Sequence, residues 1–426
     1  MKTPVRTLLV LVHLALLSSS GAIAQTYDFS RLDKLLQDSL AVIGGTGTDD
    51  FGGLTLLVWR DDKLVYEKSL ALPGKNMSRT RLMPVASASK WMSGTVITSM
   101  LERGLLRLDD SLAQYIPTAK GAARAATFRQ LFSFTAGFKG NLTGPTGCVE
   151  DLNSKASLAQ CVDEILALPM PFKPGDVMNY GSDGMQVGGR MAEIASGEKI
   201  ASGSCWDTLF KRFVAEPLGL KRTGWDIPPI YYTDNPRIDG GVWSNADEYL
   251  ILTRMILNRG IFEGKRILGE AAIDSMLADQ TRGARIVFSP YMQYDSIVPG
   301  IDETRYGIGV WRERLDRVTG ELRECASQGK FGFSPWVDFE RKYCAVLAVK
   351  SDLTTIYPSY TRIKQTLRAI FDAPTSVQEQ EFDTDEWRPL GWFDVLGRRV
   401  TDEEARGCVI QLLTNGRDYR SRLVVR

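Results

Sequence analysis

The chain has 426 residues, 44% of them hydrophobic and 24% charged, the proportions of a globular protein that buries a sizeable core. Its 52 basic residues nearly cancel its 51 acidic ones, for a formal charge of +1, so nothing recommends nucleic acid or an anionic membrane surface as a partner. The only histidine, His13, falls in a segment that reads as a removable leader; the remaining chain has no Ser-His-Asp triad, Cys-His dyad or histidine-ligated metal open to it.

The leader comes first. Lys2 and Arg6 supply a positive start, residues 8–17 a short apolar run, and Ala22-Ile23-Ala24 a small-residue cleavage site. The run is too short to span a bilayer. Residues 1–24 therefore read as a signal peptide, with a mature chain starting at Gln25 and exported to the periplasm, the cell surface or the medium. Residues 27–40 have helical spacing, and 53–70 read as a hairpin turning at Asp61-Asp62. A helix is predicted from Ser87 to about residue 103, stopped by Gly104. Helix-like segments follow near 157–168, 184–196, 205–215, 245–258 and 269–278. Extended segments return at 306–312, 323–328 and 343–350, before a helix near 358–371. Strands at both ends with helices inserted between them predict an α/β (α+β) fold, one central antiparallel sheet flanked by helices, plus a helical lobe.

This domain would occupy residues 25–372. From 373 to 386 the composition turns to proline, serine, glutamine and acidic residues, a linker. Residues 387–426 read as a small β-unit: Trp392-Phe393-Asp394-Val395, an apolar run at 408–413, a turn at Asn415-Gly416, then Leu423-Val424-Val425. The six cysteines contain no C-x-x-C pair, and in an exported chain they are compatible with disulfides. Cys148–Cys161 would close a loop, and Cys325–Cys344 would join what looks like one hairpin.

Without histidine, a hydrolase must take its base elsewhere, and Ser87-Ala88-Ser89-Lys90 offers one. On a helix, positions i and i+3 share a face, so Lys90 reaches the Ser87 hydroxyl. The S-x-x-K spacing occurs three times, also at Ser196…Lys199 and Ser327…Lys330. Ser196 sits beside Gly197 at a helix end, and Ser327 lies in a strand-like run. Only Ser87 opens a sustained helix, where free N–H groups favour developing negative charge.

Met83-Pro84-Val85-Ala86-Ser87-Ala88-Ser89-Lys90 resembles the nucleophile segment of the serine β-lactamase-like superfamily, in the branch of class C β-lactamases, D-aminopeptidases and related esterases. Further stretches are similar to that branch in order. Leu131-Phe132-Ser133-Phe134-Thr135-Ala136-Gly137 looks like its L-L-x-H-x-S-G, and Pro174-Gly175 with Tyr180-Gly181-Ser182 like its P-G…Y-x-N. Pro217-Leu218-Gly219-Leu220 with Thr223-Gly224, and Gly240-Gly241-Val242-Trp243-Ser244 with Asp247, match two more. Gly329-Lys330-Phe331-Gly332 stands where K-T-G or H-x-G is expected.

The resemblance implies a β-lactamase/transpeptidase-like fold and a serine hydrolase that forms an acyl-enzyme at Ser87, with no cofactor and no metal. Lys90 and Tyr180 would move the proton, with Ser182 beside them. Lys330 would sit on a strand edge next to the serine, adding positive potential. The N–H groups of Ser87 and Phe333 would form the oxyanion hole, and Gly332 would leave room for substrate beside Phe331. Ser182 replaces the asparagine that bonds an acylamino group, and Phe331 replaces the threonine that helps bind a carboxylate. The expected substrate is therefore a small carboxylic ester, amide or peptide with an apolar end. The alternatives are a β-lactamase or D-Ala-type peptidase, and a catalytically idle binding relative. The tail, Gly391-Trp392-Phe393-Asp394-Val395-Leu396-Gly397-Arg398-Arg399-Val400 onward, resembles C-terminal sorting domains of the type IX secretion system of Bacteroidota, which implies secretion machinery as a further partner.

Overall fold

The computed structural model describes residues 27–44, 51–141, 144, 146–150, 156–200, 203–226, 233–373, 388–394, 398–402, 404, 408–414 and 419–425. Helix α1 (Ser30–Ile43) turns Leu32, Leu36 and Ile43 to the core. The expected hairpin follows as β1 (Gly53–Arg60) and β2 (Lys63–Ala71). Asp61 and Asp62 both take positive φ, 52° and 55°, which a two-residue hairpin turn demands. Next come α2 (Ser89–Glu102), α3 (Leu158–Ala167), α4 (Asp183–Ser196) and α5 (Ala246–Leu257). The sheet resumes as β3 (Arg305–Tyr306), β4 (Trp311–Leu315), β5 (Leu322–Ala326), β6 (Ser334–Asp338) and β7 (Tyr343–Val349), and α6 (Leu353–Asp372) ends the unit.

These strands form one antiparallel sheet in the order β2-β1-β7-β6-β5-β4-β3. Strands from the two ends of the chain meet at its centre, with Leu54 opposite Val349 and Arg60 opposite Tyr343. Both faces are covered, so β1 and β7 are apolar almost throughout rather than alternating. On one face Tyr66 donates to Asp33 of α1 at 2.8 Å and Tyr343 packs on Phe371 of α6, ring centroids 4.9 Å apart. On the other face Arg254 of α5 lies 3.6 Å over the Trp59 ring. Beneath α6, Glu324 is fully buried and ion-paired with Lys364 and Arg368, while Lys364 also reaches Glu313.

The Cys148–Cys161 bridge is present, with Cα atoms 5.3 Å apart. The expected Cys325–Cys344 bridge is not: both thiols are free and buried. Their flanks are not one hairpin, because β6 runs between them, with Cys325 opposite Val337 and Val337 opposite Cys344. Two strand spacings separate them by about 10 Å, beyond a disulfide's reach. Strand β6 escapes a reading of the sequence because Pro335 sits inside it, where a central strand disfavours proline.

The chain divides into two units, Asp28–Ala373 and a smaller one within Pro374–Arg426. In the smaller, β8 (Arg388–Phe393), β9 (Arg399–Val400), β10 (Cys408–Thr414) and β11 (Tyr419–Val425) form an antiparallel sheet ordered β9-β8-β10-β11. The leader, the 374–387 stretch and the Asn415-Gly416 turn lie outside the described residues. No helix among the described residues is long and apolar enough to cross a membrane.

Candidate active site

Ser87 lies in a 3-10 turn, Ala86–Ala88, that runs straight into α2. The entry is pinned from outside: Met83–Pro84 pairs with Trp243–Ser244, the Val85 N–H donates to Val242 O at 3.0 Å, and the Val242 N–H donates to Ser89 Oγ at 2.9 Å. Ala86 takes φ 47°, a left-handed conformation that a residue with a Cβ adopts at a cost. Trp91, Met92, Val96, Ile97 and Met100 alternate with small residues around α2, so the helix is buried on every side. That placement draws Lys90 inward to 1% exposure, while Ser87 stays half-exposed.

The Lys90 ammonium meets three acceptors: Ser87 Oγ at 3.1 Å, Asp239 O at 2.9 Å and Asp239 Oδ2 at 3.1 Å. Ser182 Oγ donates to the same Oδ2 at 2.6 Å, and Arg237 Nε lies 4.0 Å from Oδ1. Burial opposes the charge on Asp239, but the Lys90 ammonium and the Arg237 guanidinium outweigh it and hold the carboxyl at about 2. Burial likewise opposes the charge on Lys90, and Asp239 and Tyr180 overcome it, raising the amine above its ordinary value.

Tyr180 follows a short strand, Val177–Asn179, that runs parallel to Arg285–Phe288; its N–H donates to Phe288 O at 3.0 Å. The ring lies between Phe134 at 4.6 Å and Trp311 at 5.4 Å, with the Lys90 ammonium 4.9 Å from its centroid. Phe134, in the place where the family resemblance expects histidine, holds φ 61° and also packs on Tyr306 at 4.7 Å. Ser87, Lys90, Tyr180 and Ser182 are thus brought together.

The fourth wall is the end of β5. Ser327 Oγ lies 3.3 Å from Ser87 O, and a Cβ built on Gly329 would stand 2.1 Å from Val85 O. The glycine that abuts the serine segment is therefore Gly329. Gly332, at φ 93°, is the other way round: a Cβ on it would meet Val349 and Ile356, both at 3.0 Å, rather than the space for substrate expected beside Phe331. The cause is a tight turn, closed by Gly329 N–H to Phe333 O and Gly332 N–H to Gly329 O, both 2.8 Å. Lys330 stands in that turn, exposed, rather than on a strand edge; among the described residues its ammonium has no hydrogen bond or ion pair. Phe331 is 37% exposed, and Phe333 is fully buried, its ring 5.2 Å from Tyr249. The Phe333 carbonyl oxygen accepts from the Gly329 N–H across the turn, and the N–H groups of Ser87, Lys330 and Phe333 make no hydrogen bond among the described residues.

Reading the sequence misses Asp239 and Ser327. Asp239 directly precedes the Gly240-Gly241-Val242-Trp243-Ser244 stretch, and a lysine destined for burial needs an anion, but only the fold says which of the chain's acids supplies it. Among the described residues no three metal-ligating side chains gather.

Residues 32–353 match the family model described as Beta-lactamase. Over 276 residues the chain is 30% identical to Penicillin-binding protein 4 of Amycolatopsis lactamdurans, covering 58% of this chain and 66%, just under two thirds, of that one. It resembles a solved structure described as a candidate beta-lactamase from Bacteroides dorei DSM 17855 (27% identity, TM-score 0.69, 82% of this chain and 100% of the other). The fold is shared with EstCE1, described as a hydrolase with promiscuous acyltransferase activity (19% identity, TM-score 0.60, 80% and 98% covered).

Proposed function

Because the chain belongs to the Beta-lactamase family, we propose that it is a serine hydrolase acting through a Ser87 acyl-enzyme on small carboxylic esters or amides. The observation that carries this reading is the contact between Lys90 Nζ and Ser87 Oγ, 3.1 Å long and closed in by Tyr180. Ser87 Oγ attacks the carbonyl carbon as its proton passes to the Lys90–Tyr180 pair. The same pair protonates the departing alcohol or amine, and water then releases the acid by the reverse path. The N–H groups of Ser87 and Phe333, without a hydrogen bond among the described residues and on the two backbone segments that meet at Gly329 and Val85, are the donors we assign to the oxyanion.

Two observations favour esters and small amides over β-lactams. Ser182 is 2% exposed and spends its hydroxyl proton on Asp239, so it offers little to an acylamino group. Phe331, exposed in the turn after Gly329, has no hydroxyl with which to meet a carboxylate. Export belongs to the same proposal: the leader-like N-terminus and the Cys148–Cys161 bridge both suit an oxidising compartment. The test is a fluorophosphonate probe followed by peptide mapping. Labelling of Ser87 supports the hydrolase, and no labelling under any condition leaves an idle binding protein of this fold.

A further inference from the structure

An ammonium has three protons and no lone pair. In Lys90 one points to Ser87 Oγ and two to Asp239, through its main-chain oxygen and its Oδ2, and the Tyr180 oxygen also lies within reach of the ammonium. Lys90 so held donates to Ser87 and cannot accept its proton. A second observation bears on the same carboxylate. Ser182 stands where the resembling family has asparagine, and its hydroxyl ends on Asp239 Oδ2 at 2.6 Å instead of on the lysine. A serine is one amide shorter than asparagine, and the Asp239 carboxylate fills the gap between Ser182 and Lys90.

We propose that Asp239 is a positioning residue that locks Lys90 as a charged donor to Ser87, and that Asp239 and Ser182 together do here what a single asparagine would do. The inference rests on the assignment of Ser87, Lys90 and Tyr180 above. The charges around the amine are consistent with it. Asp239 and Lys90 face each other, both buried. Arg237 stands on the far side of the carboxylate at 4.0 Å and offsets it, which leaves the field of Lys90 available to Tyr180. Two further groups reach this cluster electrostatically: Tyr306, whose buried hydroxyl has no hydrogen-bond partner, and Asp183, whose carboxylate is held by Thr146. The proton leaving Ser87 then goes to the Tyr180 oxygen, which accepts it in its deprotonated form and becomes the neutral phenol.

The decisive variant is Asp239→Asn, which keeps the shape and removes the anion. Without it a buried ammonium loses its counter-charge, and its pKa falls. Two readouts separate this proposal from the enzymatic one. The first needs no turnover: the 13Cε resonance of Lys90, assigned with Lys90→Met, titrates at lower pH in Asp239→Asn than in the wild-type protein. The second is the pH profile of kcat/KM on p-nitrophenyl acetate, whose alkaline fall begins at lower pH in the variant than in the wild type. Should the replacement fail to fold, the pair Asp239→Ala/Ser182→Asn carries the test. It restores at least tenfold of the activity lost in Asp239→Ala alone. A Lys90 resonance that titrates alike with and without Asp239, or a uniform loss of rate with an unchanged profile and no rescue, overturns the proposal. If Ser87 is never acylated but the resonance moves as described, the hydrolase reading fails and the lock stands.

Discussion

Gly329 passes so close to Val85 that a β-carbon on it would lie 2.1 Å from the Val85 carbonyl oxygen. The backbone on either side of that contact carries both proposed oxyanion donors. Gly329→Ala must push the β5–β6 turn away from Ser87, and a displacement near 1 Å at a reacting centre costs about a hundredfold. We expect kcat/KM on a short-chain p-nitrophenyl ester to fall by that order while the protein still folds. An unchanged rate would remove the turn from the site.

Ser87→Ala should abolish turnover, and Tyr180→Phe should lower kcat by about two to four orders of magnitude, the scale of lost acid–base catalysis. Steady-state kinetics on the same ester checks both. A Tyr180→Phe enzyme at full rate means that the proton goes elsewhere.

Short-chain esters should be turned over far faster than nitrocefin, since Ser182 faces Asp239 and Phe331 has no hydroxyl. Phe331→Thr with Ser182→Asn should raise the nitrocefin-to-ester ratio by about tenfold, the worth of one good hydrogen bond. Strong nitrocefin hydrolysis by the unaltered protein would refute the substrate assignment.

Glu324 makes stability depend on pH. Burial opposes its charge, Lys364 and Arg368 overcome it, and the carboxyl is held at about 2, below its unfolded value. A depressed carboxyl contributes stability above its unfolded pKa and loses it as pH falls toward the folded one. Thermal midpoints should therefore drop between about pH 4.5 and 2. Glu324→Gln, which takes one counter-charge from buried Lys364 and one from Arg368, should cost about 3–5 kcal/mol at neutral pH and flatten that acid limb. An acid limb equally steep in the variant would assign it to other groups.

The family match ends at residue 353, short of the C-terminal sheet. A chain ending at Asp372 should keep its esterase activity and its thermal midpoint, and, if the tail is an export address, lose delivery beyond the outer membrane of its host. A markedly lower midpoint, the sign of several kcal/mol of lost burial, would make the tail a structural part of the enzyme instead.

The sequence made legible what depends on local period and order. The hairpin at 53–70, the helix after Ser87 and the convergence of Lys90, Tyr180 and Ser182 follow from spacing and resemblance, and their positions agree with the fold. What it hid depends on non-local approach. Asp239 is one acid among many until the fold carries it to Lys90, 149 positions away. Gly329 and Gly332 fall in one stretch of sequence, and only the approach of Val85 shows that Gly329 is the one that abuts the serine segment. Pro335 disguised a central strand, and with it the distance between Cys325 and Cys344.

The pairing of β1 with β7 sets a timetable for the chain. Leu54 has no partner on that side until Val349 has been synthesised, so the middle of the sheet cannot close on the ribosome before almost the whole unit has emerged. Contacts this distant in sequence make folding slow, and they leave a long interval in which the polypeptide is extended and unpaired. Its own topology thus postpones folding, and the last strand of the sheet to be made completes the scaffold on which Ser87 sits.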